Sequence, residues 1–142
     1  MDDLQKLFDA IVDGDNKLAR ALTEQAIAAG ADPREMLEKY MIPAMNEVGR
    51  LFEVNEYFVP ELVVSARAMK SAQELLRPLL LGAGSKPSGK IVIGTVKGDL
   101  HDIGKNLVAS MLEGGGFEVI DLGADVPPER FVDAVRRHRP QV

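Results

Sequence analysis

Lys90-Ile91-Val92-Ile93-Gly94-Thr95-Val96, followed closely by Gly98-Asp99-Leu100-His101-Asp102-Ile103-Gly104-Lys105-Asn106, is the stretch whose reading decides the fold. Its first part is short, β-branched and almost wholly apolar. That pattern suits a strand covered on both faces, as in a parallel sheet. The second part is a loop that runs into a helix from about Asp102 to Glu113, with Leu107, Val108 and Met111 apolar, stopped by Gly114-Gly115-Gly116. Phe117 to Leu122 reads as a second strand, Gly123-Ala124-Asp125-Val126 as its following loop, and Pro127-Pro128-Glu129 as the start of another helix through Arg137. Strand, helix, strand, helix is the repeat of a doubly wound, flavodoxin-like (Rossmann-like) α/β domain. In the flavodoxin-like order, ligands bind at the carboxyl ends of the strands, between the first and third. The loop holding His101 forms one wall of that crevice. Residues 90–142 number 53, against ~100–150 for an independent domain, and a third strand should begin at Pro140-Gln141-Val142. The expectation is an α/β domain incomplete at its C-terminus.

Working outward, residues 82–89 are rich in Gly, Ser and Pro without periodicity, which marks a linker and domain boundary. Residues 1–81 read as four helices. The first runs Asp2–Val12, with Leu4, Leu7, Phe8 and Ile11 at helical spacing. The second runs Asp15–Ala29 with a stripe of Leu18, Leu22, Ala26 and Ile27 and a stop at Gly30. The third opens with Asp32 as N-cap and Pro33 in its first turn, and carries Pro43 inside its pattern, where a kink or brief interruption is expected. The fourth runs from Pro60 to about Leu80. Four amphipathic helices joined by short turns predict an antiparallel four-helix bundle. Met36, Met41, Met45 and Met69 suit either an adaptable binding face or, at their helical spacing, the bundle core.

Composition narrows the function. No apolar run approaches the ~20 residues of a membrane span, and the acidic start Met1-Asp2-Asp3 does not resemble a signal peptide. With no cysteine there is no disulfide framework, thiolate zinc site or Cys-ligated cluster, and a cytoplasmic protein is the default expectation. Residues 1–81 carry 14 Asp/Glu against 9 Lys/Arg, whereas residues 82–142 balance at 8 each, so no basic face offers itself to nucleic acid. Arg136-Arg137-His138-Arg139 reads as cations complementing a helix C-terminus.

His101 is one of two histidines. Neutral imidazole is a good ligand for cobalt, iron, nickel, copper or zinc. Asp99, two residues earlier, can accept the other ring N–H and orient the ring. Gly104 lets a ligand approach the backbone, and the helix N-terminus suits a phosphate. The pair also suits acid/base chemistry, although no Ser or Cys nucleophile motif accompanies it. A plain loop histidine is the simplest alternative. A zinc site needs three or four protein ligands, and His138 is distant in sequence. A macrocycle bringing its own equatorial nitrogens needs only one axial ligand, which this chain can supply.

The stretch Gly98–Asn106 resembles the Asp-x-His-x-x-Gly signature of cobalamin-binding domains, in the branch shared by methionine synthase and the corrinoid proteins of methanol and methylamine methyltransferase systems. The resemblance extends to Asp121-Leu122-Gly123-Ala124-Asp125-Val126-Pro127. It also covers Val48-Gly49-Arg50-Leu51-Phe52 and Tyr57-Phe58-Val59-Pro60-Glu61-Leu62, which resemble the family's helical cap. It implies a cobalamin or related cobamide bound base-off/His-on, with His101 as lower axial ligand to cobalt and Asp99 hydrogen-bonded to it. Gly98, Asp99, Leu100, His101, Asp102, Ile103 and Gly104 would contact the cofactor from below. Phe52, Phe58 and Val59, at the corner of helices three and four, would contact it from the cap; the alternative for these three is bundle core. The family's later Ser-x-Leu and Gly-Gly segments lie beyond Val142.

The resemblance implies a methyl carrier rather than a stand-alone catalyst. It would take a methyl group from a substrate-specific corrinoid methyltransferase and pass it to a second methyltransferase acting on tetrahydrofolate or a thiol, with no nucleic-acid or membrane partner. A cobalamin-responsive regulator is the alternative, but it requires a basic helix-turn-helix that does not precede the bundle. An adenosylcobalamin mutase subunit is third, and the methyl-transfer type of cap speaks against it.

Overall fold

Leu7, Ala10 and Ile11 recur on one side of Asp2–Val12 and are buried, and this stripe makes the segment helix α1. The computed structural model describes residues 2–82 and 86–142; residues 83–85 of the expected linker lie outside them. The chain divides into two units, Met1–Ser85 and Lys86–Val142. In the first unit, α2 spans Asn16–Ala28, with the Asp15 carboxylate accepting the Leu18 N–H at 3.0 Å as N-cap. Its buried stripe is Ala19, Leu22, Thr23 and Ala26, rotated from the expected one: Leu18 is exposed. Thr23 enters the core because its hydroxyl donates to the Ala19 carbonyl at 2.7 Å, one turn back, so no polar atom is left unpaired.

The third helix starts as expected at Asp32, which caps the Arg34 N–H, and runs as α3 (Pro33–Glu35), a π-helical turn (Met36–Met41) and α4 (Ile42–Glu53). The interruption expected at Pro43 takes the form of that π turn, in which the Ile42 N–H reaches back to the Leu37 carbonyl. Widening the helix just ahead of Pro43 eases the ring past the preceding turn without a break. Helix α5, Val59–Gly82, completes the four-helix bundle and packs on α1, α2 and α4. The four methionines at helical spacing are core: Met36, Met41, Met45 and Met69 are all buried.

In the second unit, β1 (Lys90–Ile93) and β2 (Glu118–Asp121) pair in parallel, Lys90 opposite Glu118 and Ile93 opposite Asp121. Helix α6, Ile103–Gly114, connects them, and α7, Pro128–His138, follows β2. Both strands are shorter than the apolar runs predict. The ladder stops at Gly94, where a Cβ would lie 3.0 Å from the Phe131 ring of α7. It resumes as a single parallel bridge between Val96 and Val126. On the other edge of β1, the Gln141 N–H donates to the Lys90 carbonyl and the Val92 N–H to the Val142 carbonyl, each at 2.9 Å. The Val142 N–H also reaches the Lys90 carbonyl, at 3.4 Å, so residues 141–142 lie along this edge without forming a strand. The lateral order is therefore β2, β1, then residues 141–142, and the chain direction reverses its sideways progress at β1. The loop after β1 is at the switch point of the sheet.

Gly14, between α1 and α2, has φ +72°, and a Cβ there would meet the Val64 side chain at 2.5 Å and the Ser65 backbone nitrogen at 3.2 Å. Gly14→Ala is expected to destabilise the bundle by roughly 2–4 kcal/mol, combining left-handed strain with overpacking. Gly30 has φ +84° but open space around it, so Gly30→Ala should cost only about 1–2 kcal/mol. Urea unfolding followed by the helical signal checks the difference.

Candidate functional site

At the carboxyl end of β1 the chain leaves the sheet through Gly94 and Thr95 and turns at Gly98, whose φ is +87°. A single carboxylate oxygen organises the turn. Asp99 Oδ1 accepts the main-chain N–H of His101 at 2.8 Å and lies 2.6 Å from His101 Nδ1. A carboxylate only accepts, so Nδ1 carries the proton and, in the neutral ring, Nε2 presents a lone pair. The two His101 groups, main chain first and ring second, hold the Asp99 carboxyl below the usual carboxylate range. The ring itself stands in the open, its side chain 99% exposed. Thr95, buried, donates its hydroxyl to the His101 carbonyl at 2.9 Å and fixes the loop from beneath. Around the imidazole, Leu100 and Ile103 are 76% and 87% exposed, and Val96 is exposed too. A Cβ at Gly98 or Gly104 would meet nothing within 4 Å, so both edges are open to a ligand.

The loop is braced from β2. Lys105, in the first turns of α6, puts Nζ 2.7 Å from both carboxylate oxygens of Asp121 and 2.8 Å from Asn106 Oδ1. Its side chain is only 8% exposed. Asp121 Oδ1 also accepts the Gly123 N–H at 2.8 Å. Burial raises the Asp121 pKa, but the Lys105 ammonium and the Gly123 N–H outweigh it, and the carboxyl ends below its ordinary value. The second loop joins the first through Gly98 N–H to Asp125 Oδ1 at 2.8 Å and Asp125 N–H to the Asp99 carbonyl at 3.0 Å.

In the first unit, the corner between α4 and α5 is tightly built. Asn55 takes φ +63°, and the N–H groups of Glu56 and Tyr57 both reach the Leu51 carbonyl. The Tyr57 and Ser65 hydroxyls both donate to the Val12 carbonyl, the end of α1. Glu61 accepts the Phe58 N–H at 2.9 Å, capping α5. These bonds hold a corner on which Phe52, Phe58 and Val59 are exposed rather than part of the bundle core, Phe58 by 59%. Val54, next to them and not singled out by the sequence, is exposed as well.

The second unit thus brings Gly98, Asp99, Leu100, His101, Asp102, Ile103 and Gly104 into one loop and helix start. Asp102 occupies the N-cap position of α6 without a side-chain capping bond. Among the described residues no three His, Cys, Asp or Glu side chains gather to hold a metal. The donor set is one imidazole nitrogen in an exposed apolar surround. It fits a flat, largely apolar macrocycle that supplies its own equatorial nitrogens, and not a bare metal ion. Thr95, Lys105, Asp121 and Asp125 brace this loop and were not among the expected site residues. Their sequence signal is weak: Thr95 acts through a main-chain carbonyl, and the other three act through partners 16 or 27 residues away.

Residues 3–77 match the family model of a B12 binding domain, and residues 89–142 match a second model of a B12 binding domain. The chain belongs to the B12-binding family. Trimethylamine corrinoid protein 1 of Methanosarcina acetivorans is 44% identical over 141 residues, which are 98% of this chain and 65% of that protein. Dimethylamine corrinoid protein 1 of the same organism is 42% identical over 94% of this chain and 62% of its own length. Among solved structures, a chain of the methanol:cobalamin methyltransferase complex MtaBC from Methanosarcina barkeri superposes with a TM-score of 0.89 at 34% identity, covering 98% of this chain and 54% of that one. The chain therefore spans less than two thirds of these relatives. Family membership agrees with the fold expected of it, a helical bundle followed by a Rossmann-like unit, and with corrinoid binding.

Lys105→Met is expected to destabilise the second unit by about 1–2 kcal/mol at neutral pH, a figure discounted because Asp121 is partly exposed. Asp121 has a lowered pKa in the folded state, so its pairing contributes fully above about pH 5 and is lost as pH falls through the depressed value. The gap between wild type and Lys105→Met should narrow on acidification. Unfolding curves between neutral and strongly acidic pH test this; a constant gap would exclude an electrostatic role.

Proposed function

We propose that the chain is the cobamide-carrying part of a methyl-carrier protein. It holds the cobamide base-off, with His101 Nε2 as lower axial ligand to cobalt. It exchanges methyl groups with a substrate-specific corrinoid methyltransferase and then with a second methyltransferase acting on tetrahydrofolate or a thiol. The observation that carries this reading is the shared Asp99 oxygen: it occupies Nδ1 and leaves Nε2 as the one outward donor, on an exposed ring. When bound, the cobamide supplies a cobalt that can accept and release a methyl group. The chain's own residues bind, orient and shield. Asp99 fixes the tautomer and the direction in which the ring faces. Leu100 and Ile103 offer apolar surface beside the ligand, while Gly98 and Gly104 leave room at the backbone. Phe52, Phe58 and Val59, exposed at the α4–α5 corner, offer apolar surface that would suit the cofactor.

The names of the relatives, trimethylamine and dimethylamine corrinoid proteins, support the carrier over the regulator. The methyltransferase complex among the structural neighbours supports a methyltransferase partner. Turnover then resides in the partner enzymes. A cytoplasmic setting accords with the absence of cysteine, and no helix among the described residues is long and apolar enough to cross a membrane.

Reconstitution with hydroxocobalamin is expected to give a corrinoid absorbance with imidazole on cobalt. His101→Ala should lose that form, and Asp99→Ala should weaken binding on the order of 10- to 100-fold. Failure of the wild-type protein to acquire corrinoid absorbance, or an unchanged spectrum in His101→Ala, would overturn the assignment. Methyl transfer from methylamine- or methanol-specific methyltransferases tests the carrier role; no transfer from any of them, together with specific DNA binding, would favour the regulator.

A further inference from the structure

Asp125 lies after β2, yet it grips the β1 loop at two successive residues. Its Oδ1 accepts the Gly98 N–H at 2.8 Å, and its own N–H donates to the Asp99 carbonyl at 3.0 Å. One bond falls on the peptide that follows Asp99, the residue whose carboxylate holds His101, and the other on the N–H of Gly98 just before it. Asp125 adopts φ +53°, a left-handed conformation in which a non-glycine is uncommon and Asp or Asn is the most readily tolerated. Such a conformation persists where the surroundings over-determine it. Here they do. On one side Val126 is fully buried, bridged to Val96, with its N–H on the Thr95 carbonyl. On the other, the Gly123 carbonyl takes the Thr95 N–H while its own N–H is held by Asp121, itself clamped by Lys105. Asp125 is thus suspended between two points anchored on the sheet.

We propose that Asp125 is the positioning residue of the axial-ligand loop. It fixes the peptides around Asp99 so that one carboxylate oxygen can meet the main-chain N–H and the ring N–H of His101 together. A free Asp99 peptide would rotate, and the two acceptances at 2.8 and 2.6 Å would not be kept in one geometry. The inference rests on the reading of His101 as axial ligand, but the geometry it describes exists in the cofactor-free chain. Its chemistry requires two things of the side chain at 125: a δ-position oxygen acceptor and tolerance of positive φ. Asn has both. Gly has only the second, and Ala has neither.

The test uses Asp125→Asn, Asp125→Gly and Asp125→Ala in the whole chain. NMR amide exchange at His101 in the cofactor-free protein is expected to accelerate about fivefold in the Gly and Ala variants, the effect of losing one hydrogen bond. The Ala109 amide within α6 should be unaffected, and Asp125→Asn should exchange as the wild type does. With added hydroxocobalamin, the Gly and Ala variants should bind about fivefold more weakly and lose part of the imidazole-on absorbance, and Asn should restore both. The proposal is overturned if Asp125→Gly keeps wild-type exchange at His101, if Asn fails to rescue, or if protection is lost at Ala109 along with His101, which would mark general unfolding. Should wild type itself not bind hydroxocobalamin, the cofactor reading fails, while the exchange rates at His101 still decide the role of Asp125.

Discussion

Oδ1 of Asp99 meets two hydrogens of His101, one on the main chain and one on the ring, and the arrangement of the second unit converges on that double acceptance. The main-chain bond closes a two-residue Asx turn, which sets where the His101 Cα lies. The ring bond sets which way the imidazole faces and which nitrogen is free. One atom thus fixes both the position and the chemistry of the exposed donor. Neither bond alone would do this. A ring bond from a mobile loop orients nothing, and an Asx turn without the ring contact leaves the tautomer open.

Such a turn at the surface costs conformational entropy and gains little from burial, since the His101 side chain is 99% exposed. Its support comes from the sheet behind it. The buried Thr95 hydroxyl ties the His101 carbonyl down, and the parallel bridge of Val96 to Val126 brings the second loop alongside the first. The Lys105–Asp121 pair locks the start of α6 to the end of β2 with the ammonium largely out of water. A cation so enclosed is tolerated because the carboxylate meets it with both oxygens and Asn106 with a third. The His101 loop is therefore soft in composition and stiff in connection, as loops carried on a rigid α/β scaffold can be.

The bundle solves a related problem. Its α4–α5 corner exposes Phe52, Phe58 and Val59, which ordinary burial would pull inward. The left-handed Asn55, the doubled acceptance at the Leu51 carbonyl and the two hydroxyls on the Val12 carbonyl hold the corner instead. Behind it the core is dense with methionine and alanine, and the π turn ahead of Pro43 lets one continuous helix run past a residue that should interrupt it.

Helix starts and stops were legible along the chain because their signals are local. Asp15 and Asp32 cap the residues that follow them, and the apolar period of α1 needs no partner to be read. The Asp99–His101 pair was legible for the same reason: the two are two residues apart, and a carboxylate beside an imidazole has little else to do there. Leu18 could not be placed, since a stripe of Leu18, Leu22 and Ala26 and one of Ala19, Leu22 and Ala26 are equally periodic. Packing against α1 and α5 chose between them, with the Thr23 hydroxyl satisfied within its own helix. Strand length was equally invisible, because the Phe131 ring that crowds Gly94, where the ladder stops, comes from α7, far along the chain. The braces of the site, Thr95 apart, pair residues 16 and 27 positions apart, Lys105 with Asp121 and Gly98 with Asp125. By itself the sequence determined the helices, the α/β repeat and the donor nitrogen, through contacts within a turn or two of chain. Only the tertiary structure decided which faces are buried, where the sheet reverses and what keeps that nitrogen pointed outward, because these depend on residues that parallel strand pairing brings together from distant parts of the chain.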